Sequence, residues 1–159
     1  MKLVIQRVKS ASVNVENKTV SSIDNGILIL LGISNEDSDE NIIRIASKIA
    51  KLRIFNDENL IMNKNINQIQ GEVLVVSQFT LYGDTKKGNR PSYINAARPE
   101  IAEPLYKTFI LELDKLINKK VKSGIFGANM MVDLINDGPV TLIIENWNYG
   151  NKNITREGR

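Results

Sequence analysis

The chain has 159 residues, 42% hydrophobic and 25% charged, with 21 Lys and Arg against 18 Asp and Glu for a net charge of +3. That is the balance of one ordinary globular domain, long enough to bury a core without covalent staples. It contains no Cys and no His, which excludes disulfides, thiolate or imidazole metal sites, and any nucleophile–imidazole pair.

The opening "MKLVIQRVKSASVNV" carries Lys2, Arg7 and Lys9 and no long apolar run, so it does not read as a signal peptide. No stretch approaches the ~20 apolar residues of a membrane span. A soluble cytoplasmic protein with no membrane partner is the expectation.

In chain order, "KLVIQRV", "SVNV" and "TVSSI" pattern as short strands and "GILILLGI" as a fully buried one, with Asp24-Asn25-Gly26 turning between the last two. "SDENIIRIASKIAKL" has Ser38 in the N-cap position, acidic residues in the first turn, and Ile42, Ile45, Ala46 and Ile49 at helical spacing. "LRIF" returns to extended chain, "NDENL" turns, and "EVLVVSQFTL" reads as another buried strand rich in β-branched residues. A second helix is expected from Pro99 to about Lys119, with Ala102, Leu105, Phe109, Leu113 and Leu116 facing inward. "KVKSGIFGANM" then leads into two strands, "MVDLI" and "VTLIIEN", joined by Asn136-Asp137-Gly138-Pro139. Many strands and two main helices, not strictly alternating, predict an α+β fold with a mostly antiparallel, barrel-like sheet. Residues 1–147 read as one domain, and the Asn-rich, aperiodic 148–159 as a loose tail.

Without His or Cys, the available chemistries are carboxylate catalysis, a Lys-activated hydroxyl, an acidic magnesium site, or groups borrowed from the substrate. Asp57-Glu58 falls in a turn, and Asp37, Asp39 and Glu40 cap a helix, so structure accounts for both sets. No Asp-x-Asp or phosphate-loop pattern is present, and neither a metal nor a cofactor is expected. Ser77, Gln78 and Thr80 end a buried strand, where polar side chains commonly bond nearby backbone. Gly138-Pro139 reads equally as a turn opening a strand, and Phe126-Gly127-Ala128 as core plus a bulge. Lys86, Lys87 and Arg90 cluster in the loop after the strand, and Lys119, Lys120 and Lys122 form a second group. Each cluster suits a solvated surface or a phosphate-contacting patch.

Taken together the fragments are specific. "VIQRV", "LRIF", "VVSQFTL", "KGNRPSY", "FGANM" and "NDGPVT", in this order and spacing, resemble the D-aminoacyl-tRNA deacylases over Met1 to about Trp147. The resemblance implies a homodimer that hydrolyses the ester between a D-amino acid and the 3′ end of tRNA, with glycine mischarged on alanine tRNA as a side substrate. It implies that Ser77, Gln78, Phe79 and Thr80 line the pocket beside the ester. Phe126, Gly127, Ala128 and Met130 would hold the terminal adenosine or wall the amino-acid pocket. Gly138 and Pro139 would form a Gly-cisPro motif that enters the partner subunit's pocket, oriented with the help of Arg7. The substrate's own 2′-hydroxyl would activate or position the attacking water, and Lys86, Lys87 and Arg90 would touch tRNA phosphates.

Two other readings fit the residues. One makes Thr80 a covalent nucleophile with Lys86 or Lys87 as its base, although an ammonium in a charged loop stays solvated and protonated. The other is a non-catalytic module binding RNA ends, against which stand an aromatic content of only 6% and the lack of a base-stacking motif of the common RNA-reading kind.

Overall fold

The computed structural model describes residues 1–145; the tail expected to be loose over 148–159 lies outside them. In chain order the elements are β1 (Lys2–Val15), β2 (Lys18–Ile23), β3 (Gly26–Gly32), α1 (Asp39–Ala50), β4 (Phe55–Asn56) and β5 (Met62–Lys64). Then follow β6 (Glu72–Ser77), a 3-10 turn (Phe79–Tyr82), α2 (Pro99–Asp114), β7 (Lys122–Ser123) and β8 (Met131–Glu145).

The sheet is organised around β1. Its first half pairs antiparallel with β3, from Lys2↔Gly32 to Val8↔Gly26, and its second half with β2, from Ala11↔Ile23 to Val15↔Lys18. The two runs read separately in sequence are therefore one 14-residue strand. Leu3 and Ile5 enter the main core, whereas Val8, Ala11 and Val13 enter a second, smaller one, and that change of face at Arg7–Val8 breaks the alternation. Along its other edge β1 pairs antiparallel with β8.

β3 pairs with β6, from Gly26↔Glu72 to Leu31↔Ser77, and β6 with β7, both in parallel. β2 in turn lies against β6 and β7, so the six-stranded sheet curls towards closure. The α+β, barrel-like fold with two helices is what the sequence predicts; the sheet is mixed, antiparallel around β1 and parallel across β3, β6 and β7.

α1 buries Ile42, Ile45, Ala46 and Ile49, as the spacing predicts, and packs against α2. Ser38 holds the N-cap position but makes no side-chain cap hydrogen bond. α2 stops at Asp114, earlier than expected, and the chain beyond it is held by side chains. Asp114 Oδ1 accepts from Val121 N at 2.7 Å, and Asn67 Nδ2 donates to Leu116 O at 2.8 Å. Leu116 consequently sits outside the helix, 42% exposed, and Ile117 takes the buried place.

A further departure shapes the site. The strand reading of "SQFTL" ends at Ser77, and Phe79–Tyr82 folds into a 3-10 turn over the end of β3. Gly32 permits this: a Cβ there would lie 3.0 Å from Gln78 O and 3.2 Å from Leu81 Cβ.

Candidate active site

Ligands of sheets with parallel strands sit beyond the strands' carboxyl ends. Here the ends of β3 and β6, the segment after β7 and the start of α2 surround one cleft of about 550 Å³, a volume usual for small-molecule sites. Leu31 and Ile33 come from β3 and its exit, and Val76, Ser77, Gln78 and Phe79 from β6 and the turn. Phe126, Gly127, Ala128 and Met130 form the facing wall. The structure thus brings three of the four "SQFT" residues together with the whole "FGANM" set. Thr80 is not among the residues lining the cleft; it is exposed, and its hydroxyl accepts a hydrogen bond from Gln78 Nε2. Among the described residues no lysine bonds to Thr80.

The two walls are tied together from behind. Val75 O, two residues before Ser77, accepts from Gly124 N at 3.0 Å and from the Tyr106 hydroxyl at 2.8 Å. Tyr106 also packs its ring against Phe126, with centroids 5.6 Å apart. Burial pushes the Tyr106 pKa well up, partly offset by a hydrogen bond with Ser123, so the hydroxyl stays a donor. Sequence reasoning missed Tyr106, whose helical spacing was available but whose hydroxyl masked a buried role.

The charges of the cleft are few. Of the described residues lining it, Arg98 is the only one with a charged side chain, and no Asp, Glu or Lys is present. The turn at Phe79 offers something else. The first N–H groups of a helical turn have no acceptor inside it, and those of Phe79 and Thr80 stand at that position. Among the described residues no group of three or more acidic side chains gathers as a metal site requires.

Gly138 and Pro139 lie elsewhere. Pairing between β1 and β8 jumps from Gln6↔Thr141 to Val8↔Asn136, so residues 137–140 are extruded opposite Arg7 alone. The Gly138–Pro139 bond is cis, and both residues are exposed and outside the cleft of their own chain. Arg7, 7% exposed, braces the extrusion. Its Nε lies 3.0 Å from Asp137 Oδ2 and donates to Asp137 O at 3.2 Å, while Nη1 donates to Ile54 O at 2.7 Å. The two strands expected on either side of Asn136-Asp137-Gly138-Pro139 are instead one 15-residue strand, β8, whose pairing with β1 is interrupted at this extrusion.

Lys86, Lys87 and Arg90 sit on an exposed ribbon closed by Asp84 N→Ser92 O at 2.8 Å and Ser92 N→Asp84 O at 2.9 Å. Lys64, Lys107, Lys115, Lys120 and Lys122 each hold a carboxylate. The ribbon's three cations hold none among the described residues.

A sequence model of the D-Tyr-tRNA(Tyr) deacylase family matches residues 4–145. The chain belongs to that family. Relatives called D-aminoacyl-tRNA deacylase include one from Flavobacterium psychrophilum, 57% identical over 148 residues that make up 93% of this chain and 99% of the relative. Another, from Thermosipho africanus, is 55% identical over 91% of this chain and 97% of its own. Among solved structures, a c-Myc DNA unwinding element binding protein superposes with a TM-score of 0.86 at 44% identity, covering 91% of this chain and 98% of that one. A probable eukaryotic D-amino acid tRNA deacylase superposes at 0.75 over 90% of this chain and 97% of its own; at 18% identity it speaks for the deacylase fold alone.

Proposed function

We propose that this protein hydrolyses the ester bond joining a D-amino acid to the 3′ end of tRNA, releasing both, and leaves L-aminoacyl-tRNA intact. The observation that carries the mechanism is the cleft without a carboxylate, imidazole or amine. An aminoacyl ester is already activated, and its neighbouring 2′-hydroxyl can position the attacking water. The protein's part is orientation by Ser77, Gln78 and the facing Phe126–Met130 wall, with the N–H of Phe79 at the start of the 3-10 turn receiving the oxyanion. Orientation accounts for up to about 7–11 kcal/mol of barrier and one oxyanion donor for about 2.7–4 kcal/mol, enough without an acid–base side chain.

Chiral selection falls to Gly138-Pro139. These residues are exposed and outside their own cleft, so they act by entering the cleft of a second copy, which makes the working form a homodimer. Met131, Leu134, Ile135 and Ile143, all exposed on β8, support such a partner. A backbone wall that excludes an L-oriented Cβ admits glycine, and glycyl-tRNA is therefore a side substrate. The place of action is the cytoplasm, where tRNA is charged.

The test compares tRNA ending in adenosine with tRNA ending in 2′-deoxyadenosine, each carrying a D-amino acid. Loss of turnover on the deoxy substrate, together with a Thr80→Ala variant that keeps most activity, supports the reading. Full turnover of the deoxy substrate contradicts it.

A further inference from the structure

Phe79 and Tyr93 stand at the lip of the cleft, 57% and 38% exposed, with ring centroids 5.1 Å apart and planes at 74°. Large aromatic rings left this open need a reason, because each forfeits apolar burial. Local packing explains only part of their placement. Gly83 lies under Tyr93, where a Cβ would come 3.1 Å from Cε1, and Tyr93 O accepts from Ala96 N at 3.0 Å. The rest of the pair faces out.

The pair also stands at the foot of the basic ribbon. Gly83 and Tyr93 are the residues immediately before and after the Asp84–Ser92 closure. Lys86, Lys87 and Arg90 are thus held on a hairpin rising from the aromatic lip. A single-stranded nucleic acid end asks for this combination: rings for base stacking and cations beside them for the backbone.

We infer that Phe79 and Tyr93 form a stacking platform for the nucleobase next to the reacting terminal nucleoside, whose strand continues along the ribbon of Lys86, Lys87 and Arg90. The inference rests on the deacylase reading of the cleft and adds to it a second nucleotide subsite. The cleft takes the aminoacylated terminal nucleoside, and the strand must leave across the lip. Stacking is indifferent to base identity, so the platform grips the common end of every tRNA without selecting among them. Tyr93 is then a binding residue acting outside the reacting atoms.

The experiment uses two substrates with the same D-amino acid: full-length D-aminoacyl-tRNA, and D-aminoacyl-adenosine, which lacks the neighbouring nucleotide. Tyr93→Leu keeps an apolar side chain on Gly83 but removes the ring, and Tyr93→Phe restores it. Removing one base–aromatic stack of the usual strength raises KM for the tRNA by about 5-fold to 150-fold. The expected result is that rise with Tyr93→Leu on tRNA, little change in kcat, little change on the adenosine ester, and recovery with Tyr93→Phe. Equal losses on both substrates would overturn the inference, showing that Tyr93 supports the cleft or is covered by the partner subunit. No loss on either would overturn it too. A parent protein inactive on both substrates would instead overturn the deacylase reading, and the platform with it.

Discussion

Replacing Gly138 by Ala puts a methyl group where Arg7 already is. An ideal Cβ on Gly138 lies 2.8 Å from Arg7 Nη2 and 3.0 Å from Val140 Cγ2, at a φ of +118° that L side chains rarely adopt. Ordinary van der Waals separation begins at 3.4 Å, so the segment and the guanidinium must part by about 0.6 Å (3.4 − 2.8). Arg7 is poorly placed to give way, being buried and bonded to Ile54 O as well as to Asp137. The exposed extrusion yields instead. A residue forced into a sparse φ region costs about 1–3 kcal/mol, which equals about 5-fold to 150-fold in a rate ratio if it bears on discrimination. The ratio of kcat/KM for D- over L-tyrosyl-tRNA should therefore fall by about that factor, alongside a loss of about 1–3 kcal/mol in urea unfolding. Parallel hydrolysis assays on the two enantiomers read the first quantity. A variant that shows the stability loss yet rejects the L-substrate as strictly as the parent would refute the reasoning, because a moved wall would then leave selection untouched.

Leu60 sits at φ +62° and is 81% exposed; Leu60→Gly removes a left-handed penalty of about 1–2 kcal/mol against a glycine entropy cost of about 0.5–1 kcal/mol. Thermal unfolding should shift upward by a few degrees, and a downward shift contradicts this. The Asp24 N–H and then Lys122 hold the Glu72 carboxyl below its usual pKa, so its contribution to stability is present above the unfolded value of about 4.3 and is lost as pH falls through the folded one. Glu72→Gln should flatten the fall of the urea midpoint below about pH 4.3, and an unchanged acid limb argues against the linkage. Replacing Lys86, Lys87 and Arg90 together by Ala should raise KM for tRNA and lower the salt slope by about 0.7–0.9 for each phosphate no longer neutralised; an unchanged slope means that the cations are only solvated.

What the sequence made legible was local. β3 and β6 announce themselves by uninterrupted apolar runs, α1 by its stripe, and the turn at residues 24–26 by Asp-Asn-Gly. The residues of the cleft were legible through their combined motif, since each fragment read alone suits an ordinary strand end, turn or bulge. Parallel pairing of β3 with β6 was not legible, because a run buried on both faces looks the same whichever way its neighbour points. The 3-10 turn at Phe79 escaped for a different reason: "FTL" has strand-like residues, and it is the closeness allowed by Gly32 that bends them. The short end of α2 was hidden as well, since Asn67 and Asp114, which hold the chain beyond it, act from positions distant in sequence or unremarkable in pattern.

The most direct measurement of chiral deacylation is release of free tyrosine from D-tyrosyl-tRNA and from L-tyrosyl-tRNA by the parent protein, side by side at equal concentration. Rapid release from the D-substrate is expected, with release from the L-substrate no faster than in buffer alone. Equal release from both enantiomers, or none from either, would contradict the proposed activity.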